Sequence, residues 1–141
     1  MRQVVISKEY LGYKYAVMLY SNIWTGSSDL NYGYDPCDWY CGYVKIPENN
    51  NLYEFGYFRN MPYHGLENET IESYFDVHGG ITFAGRISDL NNDWFLGFDC
   101  NHHGDNPMIQ DADYTERECK NLIDQIVALE EKEKSHEIQG N

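Results

Sequence analysis

An α+β fold is what this sequence predicts: a mostly antiparallel sheet, a long C-terminal helix packed on one of its faces, and long irregular loops. Three observations carry that expectation. Short runs rich in Tyr, Phe, Trp and β-branched residues recur up to residue 100, bounded by Gly, Pro, Asn and Asp, as strands and their turns are. A single stretch, 115–129, repeats apolar residues at helical spacing. The stretches between them are rich in turn-forming residues. With 141 residues the chain is long enough to bury a core without disulfides or metal. One domain is expected over 1–134, followed by a frayed tail over 135–141.

In chain order, Arg2-Gln3-Val4-Val5-Ile6 reads as a short first strand that turns near Gly12. Tyr13 to Tyr20 carries aromatic and β-branched residues over about the usual strand length and is the stronger strand. A polar loop through Thr25–Asp29 and Tyr32–Pro36 follows, and Trp39 to Ile46 resumes extended structure until Pro47. The middle section, 47–77, is mostly loop, with a helical turn expected at Leu52–Phe55 and either helix or strand at Asn68–Phe75. Ile81–Ala84 and Trp94–Cys100 then form a hairpin about Asp89–Leu90, which sets Thr82 near Gly97 and His78 near Asn101. In the last element, Thr115 with Glu118 reads as a capping box. Cys119, Leu122, Ile123, Ile126, Val127 and Leu129 form its inward stripe. Beyond Glu130 too little apolar surface remains to hold the chain, so fraying is expected.

Composition narrows the function classes. The formal net charge is −13, and between Asp29 and Asp113 fifteen carboxylates face only Lys45, Arg59 and Arg86. Such a field repels nucleic acid and anionic membrane and attracts a basic partner surface. Plain solubility is the blander explanation of the same charge. The sequence has no run of apolar residues long enough for a membrane span, and its first residues do not resemble a secretory signal. Cytosolic residence is therefore expected, where four cysteines are free thiols or ligands more often than disulfides.

The chemistry-bearing stretch is 78–105. Cys100 and His102 lie two apart and share a face of an extended strand, His78 enters from across the hairpin, and Cys41 lies on the segment expected to run alongside. Sulfur and imidazole suit zinc, and Cys41, His78, Cys100 and His102 would complete a closed, structural Zn2+ site. Cys37, His64, Asp99, His103 and Asp105 are further candidates for that set. A competing reading makes Cys100 the last small apolar residue of a face formed by Trp94, Leu96 and Phe98, with the histidines ordinary loop residues. Nucleophile elbows, phosphate-binding glycine loops and HExxH motifs are absent from the sequence. The enzyme reading that remains is a hydrolase-like metal centre of His78, Asp99, His102 and Asp105, with an open position for an activated water.

The segments CGYVKIP at 41–47, VHGGITF at 77–83, WFLGFDCNHHGD at 94–105 and the helix ECKNLIDQI at 118–126 together resemble a family of small phage and prophage proteins. The resemblance covers about the last two thirds of the chain. Size, acidity and the candidate zinc site are also similar to those of phage inhibitors of type II CRISPR nucleases. That likeness implies stoichiometric inhibition in the bacterial host cytoplasm, by contact with a basic, nucleic-acid-binding surface of the effector so that target DNA cannot load. Carboxylates on a rigid scaffold would compete for the cations that hold phosphates, with Tyr32, Tyr34, Trp39, Tyr53 and Tyr57 as aromatic anchors. Two alternatives stand beside this expectation. One is a phage protein that binds or hydrolyses a small nucleotide signal near His78 and His102; the other is an accessory phage protein with no metal.

Overall fold

Leu11 and Gly12 both take positive φ, 52° and 85°, and this two-residue turn sets Tyr10 opposite Tyr13 in the first hairpin. The computed structural model describes residues 2–21 and 38–139; the polar loop expected over 25–36 lies outside them. Strand β1 runs Arg2–Tyr10, β2 Tyr13–Ser21, β3 Asp38–Lys45, β4 Phe83–Ile87 and β5 Asp93–Asp99. They pair antiparallel throughout, in the order β1-β2-β3-β5-β4. The first strand is longer than its apolar run suggested, because β2 offers partners all the way to the turn.

The β4–β5 hairpin forms as expected, one residue out of register. Phe83, not Thr82, stands opposite Gly97, although the Thr82 N–H donates to the Gly97 carbonyl at 2.9 Å. The turn is the reason. A 3-10 turn over Ser88–Leu90 runs into Asn91 and Asn92, both left-handed at φ 64° and 58°, so the ribbon reverses about Leu90. A slip of one residue exchanges the faces on which side chains lie.

Helix α2, Ala112–Gln139, covers one face of the sheet with Cys119, Leu122, Ile123, Ile126 and Leu129, all buried. These pack on Val17, Val44, Leu96 and Phe98. The irregular chain between β3 and β4 fills the rest of this core with Leu52, Phe55, Met61, Ile71, Phe75 and Ile81. A one-turn helix α1, Ile71–Tyr74, is held there by a Thr70/Ser73 capping box. A long loop can thus be fixed by its apolar side chains with little regular backbone.

The expected Thr115/Glu118 box is not how α2 begins. Asp111 caps the helix, its Oδ1 accepting from the Tyr114 N–H at 2.9 Å. Thr115 is fully buried with its hydroxyl on the Asp111 carbonyl, and Glu118 instead accepts from the His78 N–H at 2.8 Å. Nor does the helix stop near Glu130. Glu133 accepts from the His64 backbone N–H, and the rings of His64 and His136 stack with centroids 3.7 Å apart.

Strands β1 and β4 are the sheet's two edges, yet Arg2 at the start of β1 reaches Asp89 just beyond β4, Nε to Oδ2 at 2.8 Å. The sheet must curl for this contact to exist, and the concave side is the one away from α2. A second buried cluster of Met18, Cys41, Tyr43, Ile87 and Phe95 lines that side.

Candidate functional site

Two clusters of polar side chains meet where β5 gives way to the loop after Asp99. In the first, His78 lies between Tyr114 and Asp105. Its Nδ1 is 2.8 Å from the Tyr114 hydroxyl, and its Nε2 is 2.9 Å from both Asp105 oxygens. Burial works to raise the Asp105 pKa, but the His78 hydrogen bond and the His102 backbone N–H together outweigh it and hold the carboxyl below its ordinary range. An ionised Asp105 accepts from the Nε2–H, and Nδ1 faces the Tyr114 hydroxyl, so both ring nitrogens are engaged.

The second cluster centres on Asp99. Its Oδ2 accepts from the Thr82 hydroxyl at 3.0 Å and its Oδ1 from the Asn101 N–H at 3.1 Å. His102 Nε2 stands 3.3 Å from that Oδ1, within ion-pair reach but without hydrogen-bond alignment. Gly79 makes this ring position possible: its φ is 69°, and a Cβ there would fall inside contact distance of His102 Nε2. The His78 and His102 rings come to rest with centroids 5.9 Å apart.

The concave face beside Asp99 opens into a cleft of about 550 Å³. Tyr20 and Trp39, register partners on β2 and β3, stack nearly parallel at 7° with centroids 5.6 Å apart. The Tyr20 hydroxyl bonds that of Tyr43 at 2.8 Å. Tyr43 lies over Gly97, where any Cβ would collide with its ring, and meets Phe83 edge-on. Thr82, Asp99 and His102 supply the polar rim.

The structure brings together His78, Asp99, His102 and Asp105, the set of the hydrolase-like reading. Cys41, His78, Cys100 and His102, the set expected to hold zinc, do not converge. Cys41 does lie on the neighbour of the hairpin, opposite Asp99, but with Met18 and Phe95 on the concave side. Cys100 belongs to the helix-side core, its Sγ 3.6 Å from the Thr115 hydroxyl. Burial pushes the Cys41 thiol up to about 12 and that of Cys100 up to about 11. Among the described residues no group of three or more His, Cys, Asp or Glu is arranged to hold a metal ion, and Cys41 and Cys100 lie on opposite faces of the sheet.

Of the other candidates, Cys37 lies outside the described residues, His103 is exposed, and His64 Nδ1 is paired with Glu133 at 3.0 Å. The expected anchors separate likewise. Tyr32 and Tyr34 fall outside the described residues, Trp39 lines the cleft, Tyr53 lies beneath Arg86, and the Tyr57 hydroxyl donates to the Ile81 carbonyl. Phe58, 87% exposed, is an aromatic the sequence reading passed over. The cleft itself was also missed. Its signal was the pairing of Tyr20 with Trp39, which appears only once β2 and β3 are placed in register. No helix among the described residues is long and apolar enough to cross a membrane. Compared with known proteins, the chain matches no family model, no curated protein and no solved structure.

Proposed function

We propose that this chain is an acidic inhibitor of phage type that binds the basic, nucleic-acid-binding surface of a host defence nuclease, a type II CRISPR effector, in the host cytoplasm. It acts by occupancy and not by catalysis: while bound, it keeps target DNA from loading. The supporting observation is uncompensated charge. Arg2, Lys8, Lys45 and Arg86 already pair with Asp89, Glu116, Asp93 and Glu54. Exposed Glu48, Glu72, Asp76 and Asp113 have no ion-pair partner among the described residues. Carboxylates left free on a scaffold braced by sheet and helix are suited to a surface of lysines and arginines. The test is effector binding to target DNA, with and without an equimolar amount of this protein, at rising ionic strength. Inhibition is expected at low salt and should fall steeply as salt screens the long-range attraction; absence of inhibition, or a flat salt response, counts against the reading.

A second reading draws on the meeting of His78, Asp99, His102 and Asp105 beside an aromatic cleft: a site that binds or hydrolyses a small nucleotide signal. Turnover of a nucleotide panel, lost in His102→Ala with the fold intact, would favour it. A structural zinc is a separate proposal, decided by elemental analysis of protein purified without added metal. Near-stoichiometric zinc is its signature, and Cys41→Ser is expected to leave that content unchanged because Cys41 lies on the other face of the sheet from Cys100.

A further inference from the structure

We propose that the concave cleft is a receptor for one arginine side chain of the partner, its guanidinium lying against Trp39 and Tyr20 and paired with Asp99. The proposal rests on the inhibitor reading and names the contact through which a basic surface would be gripped.

The molecule contains its own template for such a contact. Arg86 sits over the rings of Tyr53 and Trp94, 5.7 and 5.8 Å from their centroids, and its guanidinium pairs with Glu54. Two aromatic faces and a carboxylate thus hold one arginine on the helix side of the sheet. On the concave side the same three parts recur as Tyr20, Trp39 and Asp99, and among the described residues no Lys or Arg lines the cleft. Arg2, across from Tyr20 on β1, pairs with Asp89 through both Nε and a terminal nitrogen and also lies beside the Tyr20 hydroxyl.

The chemistry selects the occupant. A phosphate or carboxylate ligand would meet Asp99 and the field of a chain with net charge −13, so anions are disfavoured. Asp99 Oδ2 accepts one hydrogen bond, from Thr82, and keeps a second lone pair for a donor, while Oδ1 takes the Asn101 N–H and has His102 Nε2 at 3.3 Å. A guanidinium suits that arrangement better than an ammonium. It is planar, it stacks on aromatic faces, it carries paired donors, and it is more weakly hydrated.

Isotope-labelled full-length protein is titrated with N-acetyl-arginine methylamide while the tryptophan indole resonances are followed. The lysine and citrulline analogues and adenosine monophosphate are titrated in parallel. The Trp39 indole is expected to shift with the arginine analogue. The uncharged citrulline analogue and the Asp99→Asn variant should each weaken that response by about five- to tenfold, the loss of a charge-assisted pair. Trp94, already against Arg86, should not move. An unmoved Trp39, equal binding of citrulline, or a shift with the nucleotide alone overturns the proposal. Capture of the nuclease separates the two readings. If Asp99→Asn still binds and inhibits the effector like the parent, the cleft proposal falls and the inhibitor reading stands. If the arginine analogue binds but no effector is inhibited, it is the inhibitor reading that falls.

Discussion

Gly79 is the residue on which the His102 position turns, because it combines left-handed backbone with the close approach of an imidazole. Gly79→Ala should cost about 1–3 kcal/mol in urea unfolding, from backbone strain and displacement of the ring together. In a His102→Ala background only the backbone share, about 1 kcal/mol, should remain. Asp105 sets a pH dependence. Its folded pKa lies below the unfolded value, so its contribution to stability is fully present above the unfolded carboxylate range and is lost as pH falls through the folded pKa. Asp105→Asn should therefore melt below the parent at neutral pH, and the two melting temperatures should converge in acid. Equal melting temperatures at neutral pH would show that the His78–Asp105 pair contributes nothing. These roles were half legible: His78 and Asp105 stood among the candidates, but nothing in their spacing disclosed that Tyr114, on the helix, would take the other nitrogen of His78.

At the scale of elements, helix α2 starts a turn earlier than its capping pattern suggested. Asp111→Ala should cost about 1 kcal/mol, as the loss of an N-cap does, measured by chemical denaturation; an unchanged midpoint would mean that the cap is elsewhere. Thr115 and Glu118 had the right spacing for a cap, but burial under Cys100 and the pull of the His78 N–H engaged them otherwise. Strands β2, β3 and β5 were readable because they are short runs dense in aromatic residues, and Gly97 in β5 acquired its meaning only with Tyr43 lying above it. Segment 47–77 was readable as mostly loop, with turns at 51–54 and a helix at Ile71–Tyr74 close to where local structure was expected, but its packing was not. Its order comes from single apolar side chains anchored in a core made by distant elements, and such anchoring leaves no period in a sequence.

For the molecule as a whole, charge patterning was plain from the start, whereas the curl of the sheet was not, since it depends on Arg2 meeting Asp89 across the full width of the fold. Crowded carboxylates repel one another in the native state more than in the expanded one. Moderate salt should for that reason raise the melting temperature of this chain, and a fall would mean that its ion pairs outweigh its repulsions. The irregularity in β1 has a consequence for life at high concentration. Between Val4 and Ile6 the pairing with β2 skips a residue, leaving Val5 as an extra step along an outer strand that also bears Arg2, Lys8 and Glu9. A strand interrupted in this way is a poor template for a neighbouring copy to add to. A chain made in quantity can thereby keep its open edge from seeding fibres.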